Sequence, residues 1–372
     1  MVDSLESGRS TWLLIDDLIH LGEIPDEPPG LPWREIRRRF SRPEVAEDLL
    51  KTGALVCRRP EKLPRELREA VQGTRDRIEK IEEVGWSIDA WTFHQSLKRD
   101  SRLIDDSEMQ RSYAELVELR HSMADRFVEM FGPPPPAYHE LEGEEIELPP
   151  PDHDLGSLDA ALNSRVTNRF FDSNAFLTAV ELSVLLDRAF ASRGEVRLGQ
   201  TFVSQRKTSP SGGGLHPIEP FILIHRVHGI DAGLYHYSAR NRSLTKVFSD
   251  QESVLRSMAG ALAAGQEIFQ SAAIVITFVA RFARQYWKYR DRARGYAVML
   301  KDVGHLSQTA QLVATAMGLA TAYSGAIAGE IFEQITGYSD IEFGPLGVLG
   351  CGPAVNGIDG LREPERSPVD RS

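Results

Sequence analysis

At 372 residues with 41% hydrophobic side chains, the chain is long enough for two units, each with a core of its own. Its 54 acidic against 43 basic residues leave a net charge of -11, which argues against broad binding to a nucleic-acid backbone but leaves room for a local anion pocket. The two cysteines, Cys57 and Cys351, are too far apart for a disulfide scaffold or a metal spacing; the acidic start lacks the parts of a signal peptide; and the longest apolar run, Ala272 to Ala280, is too short to span a bilayer. A soluble, cytoplasmic protein with no metal, nucleic-acid or membrane role is expected.

Residues 1–131 form the first expected unit. Trp12 to Ile15 opens a small module in which Trp33, Ile36 and Phe40 recur at near-helical spacing. Ser41 to Glu44 resembles a cap for a second helix, Val45 to Lys51, and Ala54 to Cys57 reads as a short strand. That order is winged-helix-like. Arg34, Arg37, Arg38 and Arg39 read as a solvated helix face, in keeping with the overall acidity. From Leu63 to Phe131 the pattern is helical and charged, with a packing stripe of Met109, Tyr113, Leu116, Met123, Phe127 and Met130. His94, His121 and His139 show no ligand spacing and are read as structural. Residues 132–154 hold two proline runs around an acidic middle and are read as an extended linker.

Residues 155–372 differ in texture. Thr178 to Glu181 is a capping box that opens the amphipathic helix Leu182 to Ala191. Strands are expected over Phe221 to Arg226, Gly233 to Tyr237 with Leu244 to Phe248 as a hairpin, Ala273 to Val279, Ala320 to Tyr323, and Leu346 to Cys351. Helices are expected over Glu252 to Ala264 and Tyr296 to Met317. The expected class is α+β, a mixed and mostly antiparallel sheet flanked by helices.

Two stretches carry chemistry. Arg165, Thr167 and Arg169 alternate, so in an extended backbone they share a side, and two guanidiniums about a hydroxyl suit a phosphate. Ser209-Pro210-Ser211-Gly212-Gly213-Gly214-Leu215-His216-Pro217 has no place in a helix interior and can bring bare backbone close to a flat or anionic ligand. A glycine-rich surface loop and an ordinary arginine-bearing strand are the bland alternatives. Arg281 and Arg284 follow a strand and suit either a peptide carboxylate or surface pairing.

These two stretches in this order, with Gly233-Leu234-Tyr235-His236-Tyr237, Lys288-Tyr289-Arg290-Asp291-Arg292-Ala293 and Gly304-His305-Leu306-Ser307-Gln308, resemble the nitroreductase superfamily. Within it they are most similar to the SagB-type dehydrogenases of ribosomal-peptide maturation, in a longer subgroup that carries an N-terminal extension. The resemblance covers about Leu155 to Gly352. It implies a homodimer with one FMN at each dimer interface. It assigns Arg165, Thr167 and Arg169 to the flavin phosphate and ribityl chain, and Ser209, Pro210, Ser211, Gly212 and Gly213 to the isoalloxazine. Ser324 and Gly325 are implied near the ring. Gly350 and Gly352 lie where relatives often add a basic phosphate contact, a place that Pro353 takes here. Azoline-oxidising members carry a Lys-Tyr pair at the start of the long helix. Ungapped matching sets it against Gly295-Tyr296, which makes Tyr296 the first proton-transfer candidate, with Lys288 and Tyr289 behind it.

The reading is an FMN-dependent oxidoreductase acting on a ribosomally synthesised precursor peptide. The N-terminal module is a candidate holder of that peptide's leader, and partner maturation enzymes are expected. The alternatives are a small-molecule flavin reductase using NAD(P)H and a non-catalytic scaffold of the same fold.

Overall fold

The apolar run from Ala272 to Ala280 becomes the strand on which the rest is stacked. The computed structural model describes residues 2–3, 10–11, 65–97, 125–126, 128–133, 155–198, 202–290 and 292–355. The winged-helix-like reading of residues 12–60 and most of the 132–154 linker lie outside them. Two short N-terminal pieces, Val2–Asp3 and Ser10–Thr11, pair antiparallel. Helices α1 (Arg65–Val84) and α2 (Ile88–Leu97) follow.

The family of strands comes next. After α3 (Ser157–Ser164) and α4 (Ala179–Phe190), a separate hairpin joins β1 (Gly194–Leu198) to β2 (Phe202–Arg206). The main sheet is built from β3 (Ile218–Ile224), β4 (Gly233–Ser238), β5 (Ser243–Phe248), β6 (Ile274–Arg281), β7 (Ala320–Ser324) and β8 (Phe343–Gly352). Their order is β5-β4-β3-β6-β8-β7, and every neighbouring pair runs antiparallel. The expected mixed character is confined to an isolated parallel bridge, Leu177 to Val227. Between the strands lie α5 (Glu252–Leu262), α6 (Ile268–Ser271), α7 (Phe282–Tyr289), α8 (Arg294–Ala316) and α9 (Gly329–Thr336).

Period-two alternation sorts the strand side chains between two cores. Ile274, Ile276 and Phe278 of β6 join Ile222 and Ile224 in one cluster, together with Met299, Val303 and Leu306 of α8. Val275 and Val279 join Phe221 and Leu223 in the other, with Leu255 of α5 and Phe332 of α9. Helices therefore cover both faces, which explains why the central strands read as continuous apolar runs. The capping box is formed as expected: Thr178 Oγ1 accepts from the Glu181 amide at 3.1 Å, and Glu181 accepts from the Thr178 amide at 2.6 Å.

Helices α1 and α2 belong to the first core. Trp86 and Trp91 are almost completely buried, and Trp86 packs against Phe282 and Tyr286 of α7. The Trp86 indole donates to the Ile341 carbonyl at 2.9 Å, and Arg77 holds Asp340 through two bonds of 2.8 and 3.0 Å.

The domain closes on itself at β8. Phe171 bridges to Ala354, the Asp172 amide donates to Pro353 and the Val355 amide donates to Phe170. Glycine is required where β8 meets its neighbours: a Cβ on Gly352 would lie 2.9 Å from the Ala273 backbone nitrogen. Gly352→Ala is therefore expected to lower the unfolding free energy by about 1–3 kcal/mol through overpacking. Urea unfolding measures it, and an unchanged midpoint would show that β8 and Ala273 separate freely.

Candidate active site

The glycine-rich loop is seated on α8 by side chains, and its shape follows from that seating. Asp302 is buried on α8, where it accepts from the Ser211 hydroxyl at 2.5 Å and from the Gly212 amide at 3.0 Å. Burial raises the Asp302 carboxyl above its usual range, while the bonds from Ser211 and Gly212 oppose the rise. Ser211 Oγ in turn accepts from the His216 amide at 2.9 Å. Ser209 is buried as well, its hydroxyl 2.7 Å from Thr309 Oγ1. Both serines are thus spent on bracing the loop. A Cβ at Gly212 would collide with Val298 of α8, which is how closely the backbone approaches the helix. Gly213 and Gly214 both hold φ +68°, and His216 holds φ +47°.

Gly213 is exposed, and it faces the end of α7. A Cβ built there would lie 2.8 Å from Lys288 Nζ and 3.3 Å from the Tyr289 hydroxyl. A lysine ammonium and a phenol thus converge over bare backbone.

Beneath the loop lies a charged network. Glu219 of β3 accepts from His236 at 2.9 Å and from Arg281 at 2.8 Å. Burial lowers Lys207 to about 8, against the pull of Glu219. Burial also lowers His216 to about 4, helped by the positive charges of Lys207 and Arg284 and opposed by a bond to the Gln205 backbone. Arg284 donates to the Leu215 and Val203 carbonyls at 3.0 and 2.7 Å, so it ties the loop to β2.

The arginine-bearing segment follows α3 directly. Residues 165–170 are irregular, anchored by a bond from the Asn168 amide to the Thr321 carbonyl of β7. The Arg165 guanidinium is half-buried with no partner among the described residues. Helix α3 and the glycine turn both pack on α8.

The nitroreductase family model matches residues 162–352, just over half of the chain. The chain belongs to the nitroreductase family. Its family region is 32% identical over 194 residues to the protein MJ1384 of Methanocaldococcus jannaschii, a match covering 52% of this chain and 90% of that one. The trifolitoxin-processing protein TfxB of Rhizobium leguminosarum is 31% identical over 157 residues, 41% of each chain. The microcin B17-processing protein McbC of Escherichia coli is 33% identical over 121 residues, 31% of this chain and 43% of that one. The matches thus span less than half the length of these two processing proteins. They agree with the SagB-type resemblance carried by the motifs.

Within this nitroreductase domain the expected site residues separate. Lys288, Tyr289 and Gly213 come together, and Ser209, Ser211 and Gly212 are the loop's anchors. Pro210 is exposed between the two serines. Tyr296 does not join them. It is 2% exposed, its hydroxyl lies 2.9 Å from His94 Nδ1 of α2, and its ring packs with Trp86 and Phe93. Burial raises its phenol far above the ordinary value. Gly350 and Gly352 are buried inside β8, packed against Phe269 and Ala273 respectively. Ser324, at the end of β7, accepts from Gln266 at 2.7 Å, and Gly325 beyond it is exposed with open space around it. Thr167 is half-buried within the arginine segment. Asp302 escaped the sequence reading. Its one signal there is a carboxylate four residues before Leu306 and three after Met299, on the apolar stripe of α8.

Among the described residues no group of three or more His, Cys, Asp or Glu side chains could hold a metal, and no helix is long and apolar enough to cross a membrane.

The depressed His216 sets a pH test. The unfolded imidazole takes a proton near 6.5 and the folded one only near 4. Between those values the unfolded chain binds more protons, so stability present above pH 6.5 is lost as the pH falls. Asparagine tolerates the left-handed backbone and does not titrate. His216→Asn is therefore expected to lose less stability than the wild type between pH 7 and pH 4.5 in urea unfolding. An equal loss in both would show that His216 does not carry this dependence.

Proposed function

We propose that this chain is an FMN-dependent oxidoreductase that modifies a ribosomally synthesised peptide. The observation that carries the reading is the convergence of Lys288 and Tyr289 on Gly213. The printed roles of TfxB and McbC, processing of trifolitoxin and of microcin B17, support the peptide as substrate class.

The residues present fit a flavin mononucleotide. The Gly213 backbone, in a conformation that side-chain-bearing residues rarely adopt, is exposed and carries Lys288 and Tyr289 where a Cβ would project, so a flat ring lying along the loop would meet both groups. Arg165 and Arg169 suit its phosphate, and the unpartnered Arg165 guanidinium is the structural sign of that role. Thr167 and the Ser324-Gly325 strand end complete the assignment. When bound, FMN supplies hydride uptake or release. The chain's own share is to hold it against the loop and to move the accompanying proton at Lys288 Nζ or the Tyr289 hydroxyl. In this reading the role expected of Tyr296 passes to that pair, and Tyr296 serves to join α8 to α2.

The active form in this proposal is a homodimer. Leu155, Leu158 and Leu162 are each about half exposed on one side of α3, with Val166 just beyond, an apolar stripe that a second copy would cover.

FMN is expected to copurify with the full chain, and Arg165→Ala combined with Arg169→Ala to abolish its retention, since each charged hydrogen bond contributes about 1.5–3 kcal/mol. A colourless wild-type protein that takes up no FMN would leave the scaffold reading in its place. With a precursor peptide that the wild-type protein turns over, Lys288→Met and Tyr289→Phe are each expected to cut turnover by roughly 10²-fold while FMN stays bound. Tyr296→Phe is expected to leave turnover within a few-fold. Loss of turnover in Tyr296→Phe alone would return the proton to that phenol. Rapid NAD(P)H oxidation with small acceptors and none with the peptide would favour the reductase reading.

A further inference from the structure

The turn that carries Lys288 and Tyr289 is held from outside the family domain. Helices α1 and α2 lie N-terminal to residues 162–352, the part that matches the family. Their contacts fall on two stretches of it, residues 340–342, held by Arg77, Lys80 and Trp86, and residues 282–296. Arg290, directly after Tyr289, donates to the Glu82 and Glu83 carbonyls at 3.4 and 3.2 Å, at the C-terminal end of α1. A cation at that end also meets the negative pole of the helix. Gly85, with φ +91°, lets the arginine pass: a Cβ there would lie 3.2 Å from its guanidinium carbon. Trp86 fills the space between Phe282, Tyr286 and Tyr296. His94 bonds the Tyr296 phenol in the first turn of α8.

The short helix α7 and the start of α8 are thus gripped at both ends of the Lys288-Tyr289 turn. Within the turn, the Arg292 amide donates to the Tyr289 carbonyl at 3.2 Å and the Gly295 amide to the Arg292 carbonyl at 2.9 Å. Three residues separate Arg290 from the start of α8 at Arg294, and Lys288 and Arg290 are exposed.

We infer that α1–α2 is a positioning clamp for the proton-transfer pair, with Arg290 as the positioning residue through which it acts. The inference rests on the reading of Lys288 and Tyr289 given above. A segment added to the family domain thereby sets the geometry of that domain's reacting groups.

The test uses amide hydrogen exchange on the full chain, followed by mass spectrometry. In Arg290→Ala, amides of residues 286–298 are expected to exchange roughly fivefold faster, the change that losing an ordinary, solvent-exposed hydrogen bond makes in a local equilibrium. Residues 306–316 of the same helix are expected to be unchanged. Arg290→Lys keeps a donor for the two carbonyls and is expected to return the rates toward wild type. Gly85→Ala pushes the guanidinium aside without removing its charge and is expected to act as Arg290→Ala does. Unchanged exchange over 286–298, an equal acceleration along all of α8, or no rescue by lysine would overturn the clamp. Lys288→Met is expected to leave the exchange pattern intact, so a failed clamp and a failed proton-transfer assignment report in different measurements.

Discussion

Asp302 is the group on which the site depends. A carboxylate two per cent exposed is costly to bury unless its oxygens are satisfied, and here the satisfaction comes from the loop itself. Ser211 and Gly212 answer that need, Ser211 passes the constraint on to the His216 amide, and Ser209 repeats the attachment through Thr309, about two turns further along α8. The glycines then follow by sterics: Gly212 because Val298 is too close, Gly213 and Gly214 because the backbone turns left-handed. One buried charge thus converts a sequence of small residues into a defined surface. The exposed Gly213 is what remains once every polar side chain of the loop has been used to hold it.

Helix α8 serves several masters along its length. Its first turn takes the His94 bond, Asp302 takes the loop, and Met299, Val303 and Leu306 enter the core beneath the sheet. Around it the charged groups are arranged to brace structure: Arg284 spends its donors on carbonyls of the loop and β2, and Arg281 pairs with Glu219. Neither matches the peptide-carboxylate role weighed for it from sequence. Surface pairing was the other alternative, and for Arg281 the geometry is of that kind.

Much of the domain was legible because its signals are local. The capping box at Thr178, the hairpin of Gly233–Ser238 with Ser243–Phe248, the central strand and the long helix all form where residue pattern places them, within a few residues. The hairpin Gly194–Leu198 with Phe202–Arg206 was not read, since its charged, half-exposed strands give no apolar alternation. The approach of Lys288 and Tyr289 to Gly213 was hidden from the sequence for a geometric reason. Ungapped matching treats 282–316 as one ruler, whereas α7 ends at Tyr289 and α8 begins at Arg294, so the chain turns and Lys288-Tyr289 reach Gly213 from a separate helix. Gly350 and Gly352 illustrate a different limit. Glycine in a strand reads equally as a ligand approach or as close packing, and only the neighbours Phe269 and Ala273 decide for packing.

The bonds that join Phe170, Phe171 and Asp172 to Pro353, Ala354 and Val355 have a bearing on how the protein is made. They link the two ends of the domain, with nearly all of its residues between them. Such a contact has the highest loop-closure entropy the domain can ask for, and it forms late. During translation the sheet lacks β8, the partner of both β6 and β7, until the last stretch of the domain has left the exit tunnel. Until then the apolar flanks of β6 and β7 are open edges, the kind of exposure that invites aggregation or chaperone capture. A truncation only a dozen residues short of Val355 would leave the nascent chain in that state permanently, however well its glycine-rich loop were formed.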